Sequence, residues 1–150
     1  MKDKESNFRN GSMNKTQHDI YIVDDDKAYG KSLVRLLKSV GYSAESFLSA
    51  QSFLDSVPVA YKTGVLILDL RMSGMDGFDL QKRMNELSSR LKIIFITADA
   101  QPGDRGHVIK AGAISFLQKP FGEQILFETI DSALSGSTDE NDKANNKEQR

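Results

Sequence analysis

Short apolar segments alternate with longer amphipathic ones along the middle of the chain. GVLILDL (64–70) and KIIFIT (92–97) are continuously apolar, which is typical of strands covered on both faces of a sheet. HDIYIV (18–23) is short and rich in β-branched residues, and YSAESF (42–47) and AISFLQ (113–118) predict two further strands. The pattern therefore predicts five strands.

Between these strands, apolar residues recur at the spacing of amphipathic helices. The spacing predicts helices over residues 27–40, 49–57, 75–87 and 122–135. Ser49 and Asp76 stand where N-caps are expected, and Gly41 ends the first helix.

The segment that follows the fourth strand is a poor helix former. ADAQPGDRGHVIKAG (98–112) contains Pro102, Gly103 and Gly106, and glycine disfavours a helix interior by up to about 1 kcal/mol. We therefore predict a short or shifted helix that begins near Gly103 or Asp104.

Five strands in alternation with helices predict an α/β fold, a doubly wound parallel sheet with helices on both faces. The crossovers are expected to be right-handed. In such sheets, ligands bind beyond the carboxyl ends of the strands, so any chemistry should lie at that edge.

Composition narrows the function classes. The chain has 150 residues, of which 39% are hydrophobic, and a net charge of −1, so we expect one domain that does not bind nucleic acid directly. It has no cysteine, which excludes disulfides and thiolate metal sites. No apolar run approaches the roughly 20 residues of a membrane span. The N-terminus lacks the apolar core of a secretory signal, so we expect a cytoplasmic protein without membrane contact.

Both ends are polar. Residues 1–17 contain Phe8 as their one aromatic side chain, and residues 137–150 contain no large apolar side chain. Neither end buries enough apolar area to offset the entropy of ordering, so we predict flexible tails around a domain at 18–136. No output domain is expected after residue 136.

Chemically active side chains stand at four predicted strand ends. Asp24–Asp26 follow the first strand, Asp69 lies in the third, Thr97 ends the fourth and Lys119 follows the fifth. Each has a structural alternative, namely a helix cap, a turn residue, a β-favouring threonine and a surface lysine. Because all four occur at one edge of the sheet, a functional site is favoured over these separate explanations. Clustered carboxylates repel one another unless a hard cation such as Mg²⁺ lies among them.

Four stretches resemble one known family. They are IYIVDDD (20–26), LILDLRMSGMDGFDL (66–80), IIFITA (93–98) and AGAISFLQKPF (111–121). Together they resemble the response-regulator receiver domain, the phosphoacceptor part of two-component signalling. The resemblance covers residues 18–136 and is greatest to receivers attached to helix-turn-helix transcription outputs. It implies a flavodoxin-like sheet of order 2-1-3-4-5 with five helices.

The resemblance also implies a phosphorylation site. Asp69 would be the phosphorylated residue, and Asp24 and Asp25 would hold Mg²⁺ together with Asp69 and the backbone carbonyl of Arg71. Asp26 lies just past the matched pair and is given a capping role instead.

The other roles implied by the resemblance concern the response to phosphorylation. Thr97 would donate its hydroxyl to a phosphoryl oxygen, Lys119 would pair with another, and the bond to Pro120 is expected to be cis. Phe116 would move into the space behind Thr97 as part of a switch. Alternatively, Phe116 is a static core residue.

Some residues depart from the family pattern. Met72-Ser73-Gly74 stands where Met-Pro-Gly is usual, which should free the loop. Arg71 and Asp99 are expected to flank the site, and we hypothesise that they form an ion pair that restricts the attacking water. Alternatively, both are simply solvated. His18 and His107 are expected to be surface residues rather than ligands.

The favoured function is a single-domain response regulator. It would accept a phosphoryl group from a sensor histidine kinase or a phosphotransfer protein. It would signal to a downstream protein, or by homodimerisation, through the helix after strand four, strand five and the last helix; a phosphate sink is a further option. It would catalyse its own phosphorylation and slow dephosphorylation without being a metabolic enzyme.

The alternatives are a Mg²⁺-dependent phosphatase of the haloacid-dehalogenase type, which usually has an acid at the position of Arg71, and a degenerate receiver that works without phosphate.

Overall fold

The computed structural model describes residues 19–136, in which strands and helices alternate. The strands are β1 (Asp19–Val23), β2 (Ser43–Phe47), β3 (Gly64–Asp69), β4 (Lys92–Thr97) and β5 (Ser115–Gln118). The helices are α1 (Lys27–Ser39), α2 (Ala50–Ser56), α3 (Gly77–Glu86), α4 (Asp104–Lys110) and α5 (Glu123–Ser135). All strand pairs are parallel, in the order β2-β1-β3-β4-β5, which confirms the predicted fold.

The sheet separates two apolar cores. On one face, α1 and α5 pack through Leu37 and Ile130 onto Ile22 and Ile67 of the central strands. On the other face, α2, α3 and α4 cover a core that includes Phe53, Leu80, Phe95, Val108 and Phe116. Because both faces are covered, the central strands carry the continuous apolar runs seen in the sequence.

The helix starts follow their predicted caps. Ser49 Oγ accepts a hydrogen bond from the Ser52 backbone amide at 3.0 Å. Asp76 caps α3 by the reciprocal arrangement with Asp79. The fourth helix begins at Asp104, as predicted, and is short.

The fifth strand begins two residues later than predicted. The backbone amide of Ala113 donates to the carbonyl of Val108 at 2.9 Å, so this residue still belongs to the turn that ends α4. Within residues 19–136, no helix combines the length and apolarity needed to cross a bilayer. The predicted polar tails and His18 lie outside the described residues.

A close approach fixes the loop after β3. The amide of Gly77 donates to the carbonyl of Leu70 at 2.9 Å, which brings the start of α3 against the end of β3. A Cβ atom on Gly77 would lie 2.7 Å from the carbonyl oxygen of Asp69 and 2.9 Å from the ring of Phe95. The backbone around Asp69 therefore requires glycine at this position.

We expect Gly77→Ala to lower the free energy of unfolding by about 1–3 kcal/mol, because backbone must move to admit the methyl group. Urea unfolding measures the change. Gly106→Ala is the matched control: its Cβ would meet nothing within 4 Å, so helix propensity should raise stability by up to about 1 kcal/mol. A Gly77→Ala protein as stable as wild type would contradict the packing argument.

Candidate functional site

Strand register brings the predicted site residues to one edge of the sheet. Val23 lies beside Leu68 in the paired strands. Asp24, which directly follows β1, is therefore next to Asp69, the last residue of β3. Thr97 lies beside Gln118, which places Lys119 immediately beyond it. The carboxyl ends of β1, β3, β4 and β5 therefore present these four side chains together.

Three carboxylates form the centre of this edge. Asp24, Asp25 and Asp69 each have an oxygen within 4.8 Å of the others. Asp24 and Asp69 are only 1% and 7% exposed, whereas Asp25 is exposed. Asp26 is outside this cluster: its Oδ1 accepts from the Tyr29 amide at 3.1 Å and caps α1, which agrees with its predicted role.

The surroundings of Asp69 shift the pKa of its carboxyl group. Burial raises its pKa from 3.8 to about 6, and the negative charge of Asp24 adds to the rise, while the positive charge of Lys119 opposes it. At neutral pH most of this carboxyl is ionised, but a larger fraction of it is protonated than in an ordinary exposed aspartate.

Lys119 is held by three contacts. Its Nζ lies 3.0 Å from Oδ2 of Asp24 and 4.0 Å from the ring centroid of Tyr29. Its backbone amide donates to the carbonyl of Thr97 at 2.8 Å, and the Lys119–Pro120 peptide bond is cis. The ammonium is thus directed at the carboxylates from the end of β5, the edge strand on the other side of β4.

Tyr29 was not identified by sequence reasoning. It lies in the first turn of α1, half-buried, and its ring faces the Lys119 ammonium. Burial, followed by the negative charges of Asp24 and Asp69, raises the pKa of Tyr29 to about 12, so the ring remains neutral. Its position one turn after the acidic cluster was a signal, but the sequence did not show which way the ring points.

Thr97 and Phe116 occupy the β4–β5 side of the site. Thr97 is buried, and its Oγ1 accepts from the Asp99 amide at 3.1 Å, which leaves the hydroxyl hydrogen free to donate elsewhere. Phe116 is buried on the α4 side of the sheet. Arg105 of α4 donates from Nη2 to the Phe116 carbonyl at 3.0 Å. The Cζ atom of Arg105 lies over the Phe116 ring, 5.3 Å from its centroid.

Arg71 has a different principal partner from the one hypothesised. Its Nη2 forms a close ion pair with Asp104 at the start of α4. Its Nε donates to the backbone carbonyl of Asp99 at 3.3 Å, while the Asp99 carboxylate is 4.0 Å away and 67% exposed. Asp104 is the better partner because it is buried and because the backbone amide of Gln101 donates to its Oδ2 at 2.8 Å.

His107 lies outside the acidic cluster. It is exposed on α4 and packs edge-on against the ring of Phe78, with centroids 4.6 Å apart. This position agrees with the expected surface role.

The donor set suits a hard divalent cation. All three clustered side chains offer carboxylate oxygens, and the ammonium that reaches them, that of Lys119, is paired with Asp24. A buried carboxylate beside a lysine, a hydroxyl and a cation site is equipped to act as a nucleophile toward phosphorus.

Comparisons of sequence agree on one family. The model of the response regulator receiver domain matches residues 20–131. Response regulator protein TmoT of Ectopseudomonas mendocina is 43% identical over 122 residues, covering 81% of this chain and 55% of that protein. Transcriptional regulatory protein FixJ of Bradyrhizobium diazoefficiens is 39% identical over 119 residues, covering 79% and 58%. The chain spans about half the length of the curated relatives it matches.

Solved structures give the same picture. The crystal structure of FixJ-N has a TM-score of 0.72 and 33% identity, covering 79% of this chain and 94% of that one. A CheY-like receiver domain protein from Methanospirillum hungatei has a TM-score of 0.73 and 27% identity, covering 82% and 98%.

We expect Asp69→Asn to stabilise the metal-free protein at pH 7.5 by about 1–2 kcal/mol. The folded-state pKa lies above the unfolded one, so ionised Asp69 opposes folding; this penalty is absent below about pH 4, grows up to about pH 6 and is constant above. The full pKa shift corresponds to a penalty of roughly 3 kcal/mol in the free energy of unfolding. The expected penalty is smaller because Asp25 is exposed, so solvent screens its charge.

Urea unfolding at pH 4 and pH 7.5, with EDTA present, measures this difference. Asp55→Asn, at an exposed carboxylate on α2, is the control and should change little at either pH. An Asp69→Asn effect of equal size at both pH values would refute the electrostatic cause.

Proposed function

The chain belongs to the response regulator receiver domain family, and we propose that it accepts a phosphoryl group on Asp69 from a sensor histidine kinase or a phosphotransfer protein. Receivers of this family are signalling proteins rather than metabolic enzymes. The observation that supports Asp69 is its burial beside Asp24, Asp25 and Lys119 at one edge of the sheet.

The proposed transfer is a single displacement at phosphorus. A carboxylate oxygen of Asp69 forms the new bond to phosphorus. The bond to the donor's imidazole nitrogen breaks, and its electron pair returns to that nitrogen, which takes up a proton. The Lys119 ammonium and the Thr97 hydroxyl donate to phosphoryl oxygens. Within residues 19–136 the Thr97 hydroxyl accepts from the Asp99 amide and has no acceptor of its own, which supports this assignment.

Receivers bind Mg²⁺ at an acidic pocket, and the residues present here fit that ion. Asp24, Asp25 and Asp69 would hold it, with the backbone carbonyl of Arg71 as a further ligand. The ion would supply positive charge that offsets the carboxylates and the phosphoryl oxygens. The same site would catalyse phosphorylation from small phosphodonors and slow hydrolysis.

The proposed output is the surface formed by α4, β5 and α5. Two neighbouring residues at the start of α4 support it, since Asp104 pairs with Arg71 beside the site and Arg105 binds Phe116 on β5. A change at Thr97 or Arg71 would therefore reach this surface through short contacts, with Phe116 as the moving aromatic. A downstream protein or a second copy would bind there, in the cytoplasm, where receivers usually act. The stand-alone arrangement stays a prediction.

Arg71 is proposed to lengthen the lifetime of the phosphoryl group. Arg71 follows Asp69 by two residues, and its guanidinium is fixed by Asp104 and by the Asp99 carbonyl. A fixed side chain there limits the approach of the hydrolytic water. This revises the hypothesis of an Arg71–Asp99 ion pair, with Asp99 in a lesser role.

We expect wild-type protein incubated with acetyl phosphate and Mg²⁺ to gain one phosphoryl group by intact mass spectrometry. Asp69→Asn should gain none, because the nucleophile is lost. Lys119→Met should react at least about tenfold more slowly, since a charged donor to the phosphoryl group is missing. Asp55→Asn should behave as wild type. A wild-type protein that gains no phosphoryl group would refute the proposed function.

We expect Arg71→Ala and Asp104→Asn to shorten the phosphoryl lifetime roughly three- to tenfold, which corresponds to about 1 kcal/mol in the barrier. Asp99→Ala should have a smaller effect, because its carboxylate makes only the 4.0 Å contact. Loss of phosphate from isolated phosphoprotein measures the rates. Arg83→Ala, which removes an exposed arginine of α3 paired with Glu86, is the control. Equal lifetimes in all variants would exclude the proposed role of Arg71.

A further inference from the structure

We propose that Tyr29 is a positioning residue, whose ring holds the Lys119 ammonium at the site while Lys119 exchanges Asp24 for a phosphoryl oxygen. The inference rests on the proposed function and adds a residue to it that neither the sequence reasoning nor the family resemblance assigned.

The Tyr29 ring is anchored at the start of α1. Its backbone amide is bonded to the capping carboxylate of Asp26 at 3.1 Å, which fixes the first turn of α1. Its side chain packs partly against the core shared by α1 and α5. The ring is therefore anchored by the helix that begins directly after the acidic cluster.

The ammonium of Lys119 lies between two attractive groups. One is Oδ2 of Asp24 at 3.0 Å, and the other is the Tyr29 ring face, with Nζ 4.0 Å from the centroid. The lysine side chain is only 17% exposed, so little water competes for the ammonium. Partial desolvation strengthens the attraction between a cation and an aromatic face.

The two attractions respond differently to a cation in the carboxylate cluster. A divalent ion held by Asp24 would compete with Lys119 for the carboxylate oxygens and would repel the ammonium. The neutral Tyr29 ring is no ligand for such an ion, so its attraction to the ammonium persists. Tyr29 therefore retains Lys119 at the edge of the sheet once Asp24 is engaged, which leaves the ammonium free to donate to a phosphoryl oxygen.

The first test measures phosphorylation rates with acetyl phosphate and Mg²⁺ for Tyr29→Leu and Tyr29→Phe, each with Lys119 and with Lys119→Met. Tyr29→Leu should slow the reaction about 2- to 30-fold, the range of a partly desolvated cation–aromatic contact. Tyr29→Phe should stay within about twofold of wild type, because it keeps the ring. With Lys119→Met, Tyr29→Leu should cause no further loss. Tyr61→Leu, at an 87% exposed tyrosine, is the matched control.

The second test needs neither metal nor phosphate. The ring current of Tyr29 should shift the ε-methylene protons of Lys119 upfield in wild type and Tyr29→Phe, and this NMR shift should disappear in Tyr29→Leu. Far-UV circular dichroism verifies that each variant is folded.

The outcomes separate this inference from the proposed function. A wild-type protein without phosphoryl gain overturns both. A phosphorylated wild type with an equal rate in Tyr29→Leu overturns only the role of Tyr29. An equal loss from Tyr29→Leu with Lys119 and with Lys119→Met shows that Tyr29 acts through packing, and this also overturns the inference.

Discussion

The concentration of negative charge around Asp69 is the constraint on which the rest of the site depends. Parallel pairing of β1 with β3 places Asp24 directly beside Asp69, and burial of both removes the water that would otherwise solvate them. The raised pKa of Asp69 is the physical signature of that arrangement. Under the proposed function, this carboxylate binds a cation and attacks phosphorus, and its burial lowers the folding stability in the absence of metal.

The backbone around these acids is fixed by close contacts rather than by the acids themselves. Gly77 allows α3 to approach the end of β3, and the amide of Lys119 binds the carbonyl of Thr97 across the β4–β5 edge. The connection to α4 is of a different kind, because it consists of side chains, chiefly the pair between Arg71 and Asp104. Side-chain contacts can be exchanged without unfolding a strand, so under the proposed function a local change in charge would reach the α4 surface through them.

Most of the fold and the centre of the site could be predicted from the sequence, because both depend on chain direction and periodicity. Apolar runs locate the strands, and parallel strands bring their carboxyl ends to one edge, so the clustering of Asp24, Asp69 and Lys119 follows. The partners of long side chains could not be predicted in this way. Arg71 reaches Asp104 instead of the carboxylate of Asp99, and the ring of Tyr29 faces Lys119, because tertiary packing sets the directions of these side chains.

A single ammonium connects the resting and reacting forms of the site. Without metal, Lys119 is paired with Asp24 and offsets part of the charge that burial makes unfavourable. Under the proposed function, a cation takes over that task at Asp24, and the same lysine becomes available to the phosphoryl group. Cation binding and phosphoryl acceptance are then linked through one side chain, since each favours the arrangement in which Lys119 has left Asp24. A neutral aromatic surface is well suited to hold a cation through this exchange, because it attracts the ammonium without adding negative charge that would compete with the carboxylates for the metal.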